Sequence, residues 1–389
     1  MTVPVCAWAG DPGVAELAHQ RLALMQDVAA HKWVNGLPVE DGAREAKVLE
    51  SAEAAALRFG VDVSATRALF EAQIEAAKEI QRYWFTRWAL GSPPRSAPDL
   101  VGDLRPRLLA LGDLILAGLA AAPGRAGSVP PLPGLSESSR RRLSDALSAV
   151  EPYPSRLEQV RRSGVLRIGT TGDYPPFSHR VDDDGPLGGA DVDLGRLLAH
   201  SLGAEARFVP TSWPTLMDDL AAGRYDVAMS GVSRTAARER VAAFTRAYHV
   251  GGKTPIARCS ERERFSSLAQ IDRRGVRVIV NPGGTNELFV DNNLTLADKV
   301  LHTDNRSIFQ ALIEGRADVM ITDRIEVRLQ VRLHEGVLCA TTPRNFNHQE
   351  KAYLLPRDAA WHAYVDAWLV SMLAQGVVER TIARHLGED

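Results

Sequence analysis

The sequence predicts a multidomain protein, an all-α helical bundle followed by an α/β domain. Up to about residue 150, apolar residues recur at helical spacing, with Ala, Leu, Arg and Glu between them. After Pro152-Tyr153-Pro154, short β-rich runs such as "VLRIGTT" and "YDVAMSG" alternate with helical segments. This alternation is typical of an α/β domain with mostly parallel strands. We therefore expect a helical domain over residues 10–153 and an α/β domain over residues 154–389.

Glycine and proline clusters divide the first domain into separate helices. The breaks fall at residues 35–38, at Gly60, at residues 91–94 and in the run 123–134. The predicted helices cover residues 13–33, 41–59, 64–90, 99–121 and 136–150.

Composition narrows the class of protein. A hydrophobic share of 45% and a charged share of 24% are typical of a soluble globular chain. The net charge of -2 argues against a nucleic-acid partner, which normally meets a basic face. No run approaches the roughly 18 apolar residues of a membrane span, so we expect no membrane segment.

The three cysteines and the N-terminus bear on the cellular compartment. The spacing of the three cysteines, Cys6, Cys259 and Cys339, does not match a metal site. One disulfide and one free thiol is a possible arrangement, and it would imply an oxidising compartment. Ala7-Trp8-Ala9 matches the A-x-A pattern of a signal-peptidase site, but no hydrophobic region precedes it. The alternatives are an export signal that is absent or removed and a plain disordered start.

Polar side chains interrupt the apolar faces of two predicted helices. Arg21 and Lys32 are eleven residues apart, which places them within ~20° of each other on the apolar side of the first helix. Gln81 lies within a stripe that runs from Phe70 to Trp88. Buried polar groups require partners. These groups either snorkel and bond to backbone or line a pocket for an anionic ligand.

The segments "QRLALMQDVAAHKWVNGLPVEDGAREAKVLE", "FEAQIEAAKEIQRYWFTRW" and "PDLVGDLRPRL" resemble the exported (gamma) AroQ-type chorismate mutases. The resemblance implies an all-helical pocket that rearranges chorismate to prephenate without metal or cofactor. It implies that Arg21, Lys32, Arg44 and Arg105 are the pocket cations and that Gln81 faces the ether oxygen. Arg107 remains an alternative to Arg105. Because the subclass is often dimeric, the resemblance also implies a homodimer through this domain.

Two departures separate this domain from its relatives. Ala77 and Val48 stand where some relatives carry a polar pocket residue, and Gln81 stands where some carry an acid. The disulfide that is frequent in the subclass cannot form in this half of the chain.

The stretch "VRVIVNPGGTNELF" predicts a strand, a glycine turn and a helix start, which together can bind an anion. It lacks the spacing of either nucleotide-binding glycine motif, so we do not expect a nucleotide. With "GGADVDLGRLLAHSLG" and "VSRTAARER", it resembles type-II periplasmic solute-binding proteins. That resemblance implies two lobes, roughly residues 160–255 with 350–389 and residues 256–349. It also implies a carboxylate clamp of Arg238, near Thr235, and the Gly284-Thr285 turn.

The motifs "TTGDYPPFS", "VPTSWPTLM", "AMSGVS", "GKTPI", "IVNPGGTNE", "MITDRIEVRLQ" and "EKAYLLPRD" resemble the cyclohexadienyl dehydratases, which are catalytic members of that superfamily. The resemblance implies dehydration and decarboxylation of prephenate or arogenate, with Glu326 as a general acid whose pKa is raised by burial. It implies that Asp323 matches the receptor acid that binds an amino group. Lys253 and Lys351 are expected beside the two crossings between the lobes, Lys253 as an anion contact and Lys351 as a structural residue. The other substrate-binding residues that it implies are Tyr174, Phe177, Trp213, Ser230, Lys253 and Asn281.

Several of these residues have a simpler interpretation. Glu326 alone resembles a solvated helix acid, and Arg238 lies between Arg234 and Arg240, either of which could replace it. Trp213 could pack against the helix that follows. The run from Asp182 to Gly185 suggests a hairpin turn rather than a calcium loop.

The dehydratase resemblance implies a Cys259–Cys339 disulfide, which would leave Cys6 free. Together the two resemblances predict a bifunctional enzyme of phenylalanine biosynthesis, an isomerase and a lyase acting on chorismate, prephenate and arogenate. They favour a periplasmic or secreted location. The alternative is a mutase fused to a non-catalytic amino-acid receptor.

Overall fold

The computed structural model describes residues 12–180 and 185–388. The chain divides into two compact units, Met1–Pro154 and Ser155–Asp389. The predictions about Cys6, the Ala7-Trp8-Ala9 pattern and the turn beginning at Asp182 fall at least partly outside the described residues. None of the described helices has both the length and the apolar character needed to cross a membrane.

The first unit is helical, which confirms the predicted class of this part of the chain. Its helices are α1 (Val14–Ala23), α2 (Met25–Val34), α3 (Gly42–Phe59), α4 (Val63–Ala89), α5 (Arg105–Ala121) and α6 (Glu137–Ala149). A π-helical turn, Leu100–Leu104, leads into α5.

Two predicted helices differ from the structure, one in its middle and one at its N-terminal end. Residues 13–33 form two helices, because the helix is interrupted at Leu24. The predicted helix 99–121 begins with the π-helical turn, where the Asp99 side chain accepts a hydrogen bond from Val101 N at 2.9 Å. Asp41 caps α3, since its side chain accepts a hydrogen bond from Arg44 N at 3.0 Å.

The second unit alternates helices with strands, as predicted. Its helices are α7 (Arg156–Ser163), α8 (Ala190–Ser201), α9 (Leu216–Ala221), α10 (Ala236–Glu239), α11 (Leu268–Ile271), α12 (Thr285–Asn293), α13 (Ile308–Ile313), α14 (Arg324–Leu333), α15 (Ala359–Ala374) and α16 (Val377–Leu386). Its strands are β1 (Val165–Thr170), β2 (Asp173–Tyr174), β3 (Ser178–His179), β4 (Glu205–Pro210), β5 (Val227–Ala228), β6 (Ala243–Phe244), β7 (His249–Gly251), β8 (Lys253–Arg258), β9 (Arg277–Val280), β10 (Asp298–Leu301), β11 (Val319–Asp323), β12 (Leu338–Ala340), β13 (Gln349–Lys351) and β14 (Leu354–Leu355).

Two five-stranded sheets define two lobes within this unit. The first lobe has the strand order β4-β1-β5-β14-β6 and the second has the order β10-β9-β11-β8-β12. Strands β7 and β13 pair antiparallel where the chain crosses between the lobes. The second sheet begins at Lys253, ahead of the expected lobe start at residue 256.

The parallel strands of both sheets end where a ligand is expected. In α/β sheets, ligands bind beyond the carboxyl ends of the strands. Tyr174 follows β1 closely, Asn281 follows β9 directly, and Asp323 is the last residue of β11. The fold therefore brings these three side chains to one cleft.

A disulfide ties two strands of the second lobe. Cys259 and Cys339 are bonded with an Sγ–Sγ distance of 2.10 Å, and this is the pairing that the resemblance implied. Cys339 lies on β12, which pairs antiparallel with β8 just before Cys259. The bond closes a loop across 80 residues of sequence.

Candidate active sites

The helical unit contains a large cavity among α1 to α5. Its empty volume is about 1130 Å³, part of it open to solvent. The cations in its lining are Arg21, Lys32, Arg44, Lys78 and Arg105, and the acids are Asp41, Glu45 and Asp113. All five residues expected in the mutase site, the four cations and Gln81, therefore line one cavity.

Arg21 is the most buried cation of this cavity, with 8% of its surface exposed. Its NH1 donates to Gln73 Oε1 at 2.7 Å, its Nε donates to the Leu108 carbonyl at 3.3 Å, and its guanidinium lies 5.4 Å from the Phe70 ring centre. No acid among residues 12–180 and 185–388 forms an ion pair with it. Burial accordingly lowers the pKa of Arg21 to about 10. A buried arginine without a carboxylate partner is suited to bind an anionic ligand.

Lys32 and Gln81 both line this cavity. Lys32 Nζ donates to the Val39 carbonyl at 2.6 Å, and burial lowers the pKa of Lys32. Gln81 is 4% exposed, and its Nε2 approaches Met25 Sδ at 3.7 Å. Within the described part of the chain, Gln81 Oε1 is buried without a hydrogen-bond partner. This amide therefore has hydrogen-bonding capacity left for a ligand.

Arg105 and Arg107 occupy different environments. Arg105 lines the cavity, whereas Arg107 is exposed and pairs with Asp103 at 3.4 Å. Arg44 is half-buried and forms no ion pair with any described residue. The geometry therefore favours Arg105 over Arg107.

Sequence reasoning missed Gln73, which holds Arg21 in place. Gln73 is fully buried and lines the cavity. Because a guanidinium only donates, Gln73 must present Oε1 to Arg21. Its Nε2 then has no partner among the described residues. The only signal in the sequence was its position three residues after Phe70, one helical turn along the apolar stripe.

The second unit has a smaller cleft between its lobes, with an empty volume of about 310 Å³. Its lining residues are Tyr174, Trp213, Gly231, Ser233, Arg238, Asn281, Gly284, Thr285, Asn286, Asn305, Asp323 and Lys351.

The expected carboxylate clamp has one component in each lobe. Arg238 lines the cleft and donates to the Ser233 carbonyl at 2.9 Å, and burial lowers its pKa. Arg234 instead pairs with Glu239 at 2.5 Å, outside the cleft lining. Gly284 and Thr285 lie opposite, at the start of α12, where the helix exposes backbone amides.

The acid at the cleft floor, Asp323, is already surrounded by cations of the protein. Lys351 Nζ donates to its Oδ2 at 2.6 Å, and the Tyr174 hydroxyl donates to the same oxygen. Lys253 Nζ lies 3.1 Å from Oδ1 as an ion pair without hydrogen-bond geometry. Although burial opposes ionisation, Lys253 and Lys351 hold the pKa of Asp323 well below its usual range. Protein donors therefore occupy Oδ2, whereas Oδ1 accepts no hydrogen bond from any described residue.

Glu326 lies on the first turn of α14 and is 1% exposed. Burial is the main cause that raises its pKa to about 8, and the charge of Asp323 adds to the increase. A hydrogen bond from Thr322, together with Lys253 and Lys351, opposes it. Glu326 is therefore protonated at neutral pH, which is the state required of a general acid.

Four residues expected to bind substrate lie outside the cleft lining. Phe177 is fully buried behind Tyr174, with ring centres 5.4 Å apart. The Ser230 hydroxyl lies in a buried polar cluster, 2.7 Å from the Ser178 hydroxyl. Thr235 caps α10 by accepting from Arg238 N at 3.3 Å.

The fourth, Lys253, lies beneath the cleft rather than in it. Lys253 is fully buried, its Nζ donates to Thr285 Oγ1 at 3.0 Å and to Asn286 Oδ1, and it pairs with Asp323. Thr285 and Asn286 thus use two of the three ammonium protons, and the charge of Lys253 is paired with Asp323. Burial lowers the pKa of Lys253 to about 8. Lys351, expected to be structural, lines the cleft instead.

Sequence reasoning also missed Asn286 and Asn305. Asn286 follows the glycine turn, and Asn305 donates to the Asp173 carbonyl of the first lobe at 2.8 Å. Asn305 Oδ1 is buried without a partner in the described part of the chain. Nothing in the sequence near Asn305 marked it for the cleft.

Comparison with known proteins identifies both units. Residues 166–388 match the family model of the bacterial extracellular solute-binding proteins, family 3. The chain belongs to this family. Residues 11–82 match the model of chorismate mutase type II, so the helical unit carries a mutase-type domain. The expected pairing of these two families is confirmed.

Individual relatives agree with this assignment. The cyclohexadienyl dehydratase of Pseudomonas aeruginosa is 53% identical over 242 residues, covering 62% of this chain and 90% of that protein. The secreted chorismate mutase of Yersinia pestis is 38% identical over 106 residues, covering 27% of this chain and 57% of that protein. The crystal structure of the ancestral amino acid-binding protein AncCDT-1, a precursor of cyclohexadienyl dehydratase, has a TM-score of 0.55 and 29% identity. That match covers 60% of this chain and all of the ancestral chain.

Proposed function

We propose that this chain is a bifunctional enzyme that converts chorismate to prephenate in the helical unit and prephenate to phenylpyruvate in the α/β unit. Arogenate, the amino analogue of prephenate, would give phenylalanine by the same second reaction. The observation that carries the proposal is Glu326, a buried acid whose pKa is raised to about 8. It lies outside the lining of the cleft, three residues after Asp323, which lines the cleft with Arg238 and Lys351. A receptor that only binds its ligand does not need such an acid.

In the helical unit, the mutase reaction is a unimolecular rearrangement. It requires a folded conformer of chorismate and stabilisation of negative charge on the ether oxygen, and no proton transfer. Arg21, Arg44 and Arg105 are proposed to hold the two carboxylates of chorismate. Lys32 and Gln81 are proposed to donate hydrogen bonds to the ether oxygen. Arg21 is buried and forms no ion pair with an acid in the described part of the chain, which supports this assignment.

In the cleft, dehydration and decarboxylation of prephenate occur together. Glu326 gives its proton to the ring hydroxyl, which leaves as water. The electron pair of the bond between the ring and its carboxylate completes the aromatic ring, and carbon dioxide leaves. Arg238 and the amides at Gly284 and Thr285 are proposed to hold the side-chain carboxylate. Tyr174 and Trp213 are proposed to flank the ring.

The family and the relatives support an extracellular or periplasmic location. The disulfide between Cys259 and Cys339 fits an oxidising compartment. Export through a removed signal peptide and a homodimer through the helical unit remain proposals. Sedimentation equilibrium of the purified chain tests the dimer, and a monomer at micromolar concentration would count against it.

The test of the proposed function separates the two reactions. Prephenate supplied alone should give phenylpyruvate, and Glu326→Gln should lower this rate by ~10²–10⁴-fold while chorismate consumption stays normal. Arg21→Ala should lower the rate of chorismate consumption and leave the conversion of prephenate normal. If the wild-type chain consumes chorismate but never converts prephenate, the α/β unit is a receptor. If Glu326→Gln retains dehydration, the acid has been misassigned.

A further inference from the structure

A chain of buried hydrogen bonds leads from Lys253 to Glu326. Lys253 Nζ donates to Asn286 Oδ1, and Asn286 Nδ2 donates to Thr322 Oγ1 at 3.1 Å. The Thr322 hydroxyl then donates to Glu326 Oε2 at 2.5 Å. All four side chains are buried, so bulk water does not compete for these bonds.

The direction of this chain is fixed by its first member. An ammonium group can only donate, so Asn286 must turn its carbonyl oxygen to Lys253 and its amide nitrogen to Thr322. The same Nδ2 donates to Asn281 Oδ1 at 3.3 Å, which favours the same orientation. If the Asn286 amide were rotated by half a turn, its Nδ2 donor would face the ammonium donor of Lys253.

The orientation of Asn286 in turn fixes the Thr322 hydroxyl. Thr322 Oγ1 has two hydrogen-bond partners within residues 12–180 and 185–388, and the one from Asn286 is a donor. Glu326 is then the one described acceptor for the single hydroxyl hydrogen. Because Glu326 Oε2 accepts this hydrogen bond, the arrangement favours the proton of the neutral acid on Oε1.

We propose that Thr322 is a positioning residue, which keeps the transferable proton of Glu326 on Oε1 and so presents it to the leaving hydroxyl. The inference rests on the proposed role of Glu326 as the general acid. Without the Thr322 donor, no described hydrogen bond would keep Oε2 an acceptor, and the proton could reside on this oxygen, which faces residue 322. The acid would then spend part of its time unable to react.

The charged and titratable groups around Glu326 make the role of Thr322 measurable. Asp323 at the end of β11 raises the pKa of Glu326, whereas Lys253 on β8 and Lys351 on β13 lower it, and Tyr174 also interacts with the acid. The Thr322 hydrogen bond stabilises the carboxylate and lowers the pKa. Its removal should therefore raise the pKa of Glu326, which a merely structural loss would not do.

The experiment compares Thr322→Val with Thr322→Ser in the full chain, with prephenate as substrate. Thr322→Val should lower kcat for dehydration by about tenfold or more, within the range of general acid catalysis, with little change in KM. The alkaline limb of its pH–rate profile should move to higher pH, and Thr322→Ser should restore both. Unchanged kcat and an unchanged limb in Thr322→Val would overturn the inference. A fall in kcat without a shift of the alkaline limb would also overturn the inference. So would a fall in kcat that Thr322→Ser does not reverse.

A second variant covers the case in which Thr322→Val does not fold. Asn286→Asp replaces the amide donor by an acceptor with almost the same shape, so the Thr322 hydroxyl would donate to residue 286 instead of Glu326. The same fall in kcat and the same upward shift are expected, and unchanged values would again oppose the inference. Chorismate consumption by each variant reports that the protein is folded and active in its other unit.

Glu326→Gln in the same assay separates this inference from the proposed function. If Glu326→Gln retains dehydration, the proposed acid fails and the role of Thr322 fails with it. If Glu326→Gln is inactive and Thr322→Val behaves as wild type, only the positioning role is wrong.

Discussion

Lys351 Nζ lies 2.6 Å from Asp323 Oδ2 at the junction of the two lobes. Lys253 lies 3.1 Å from the other oxygen of the same carboxylate. Among the described residues, the cleft lining contains two cations, Arg238 and Lys351, and one acid, Asp323, and the third cation, Lys253, lies beneath it. This excess of positive charge suits a substrate with two carboxylates, such as prephenate. Lys351 is the lysine of the pair that faces the cleft.

Replacing Lys351 by Met should weaken substrate binding. The variant removes a cation from the cleft lining, so we expect KM for prephenate to rise by about tenfold or more, the value of roughly one buried charge contact. The matched control is Arg234→Met, which removes a nearby cation that is exposed, pairs with Glu239 and does not line the cleft. Steady-state kinetics of both variants provides the measurement, and equal KM values would contradict the assignment of Lys351.

The pH dependence of dehydration follows from Glu326. Its folded pKa of about 8 lies above the usual value of about 4.3, so the reactive protonated form is lost as pH rises through about 8. The stability of the folded state also decreases as pH rises. The folded state holds a proton that the unfolded state releases, so the free energy of unfolding falls between about pH 4.3 and 8. Urea unfolding of the α/β unit across this range tests the effect. Glu326→Gln should flatten the slope, and an identical slope would oppose the raised pKa.

The sequence predicted the fold class because its signals are local. Helical spacing, strand alternation and glycine or proline breaks lie within short windows, and the two sets of motifs agreed with them. The cleft is less local. Ser230 and Lys253 belong to matched motifs, yet they point into the interior, because neighbouring residues of extended chain face opposite sides. Asn305 reaches the cleft only through the approach of the two lobes, which no motif encodes.

Replacing Gln73 by Leu should damage both the stability and the activity of the helical unit. Arg21 NH1 would lose its 2.7 Å acceptor inside a buried site, which should cost about 1–3 kcal/mol of unfolding free energy. The rate of chorismate rearrangement should fall, because Arg21 would no longer be held in one position. Gln20→Leu is the control, since Gln20 is exposed and bonds only to Glu16 among the described residues. Equal stability of the two variants would show that the Arg21–Gln73 bond has little weight.

Removing the disulfide should destabilise the α/β unit and leave the helical unit unchanged. Cys259 and Cys339 are 80 residues apart, and closing a loop of that length stabilises the folded state by about 4.5 kcal/mol in the chain-entropy account. The double variant Cys259→Ser/Cys339→Ser should therefore lower the urea midpoint for loss of dehydration. The urea midpoint for loss of mutase activity should stay constant. An equal fall in the two midpoints would contradict the prediction that the disulfide stabilises the α/β unit alone.

The approach of the two lobes depends on Gly283, which has a positive φ of 75° and lies against Pro214 of the first lobe. A Cβ atom at this position would lie 2.7 Å from Pro214 N and 2.8 Å from Pro214 Cα, which is too close for backbone atoms that cannot rotate away. Gly283→Ala should therefore hold the lobes apart, raise KM for prephenate and lower kcat, because water would enter the cleft. Gly203→Ala carries the same backbone strain, with φ at 66°, but its Cβ would meet nothing within 4 Å. The two variants are compared in dehydration kinetics, and equal mutase rates serve as the control. A difference in dehydration kinetics then measures the steric contact alone. Identical dehydration kinetics would show that the lobes do not need to approach this closely.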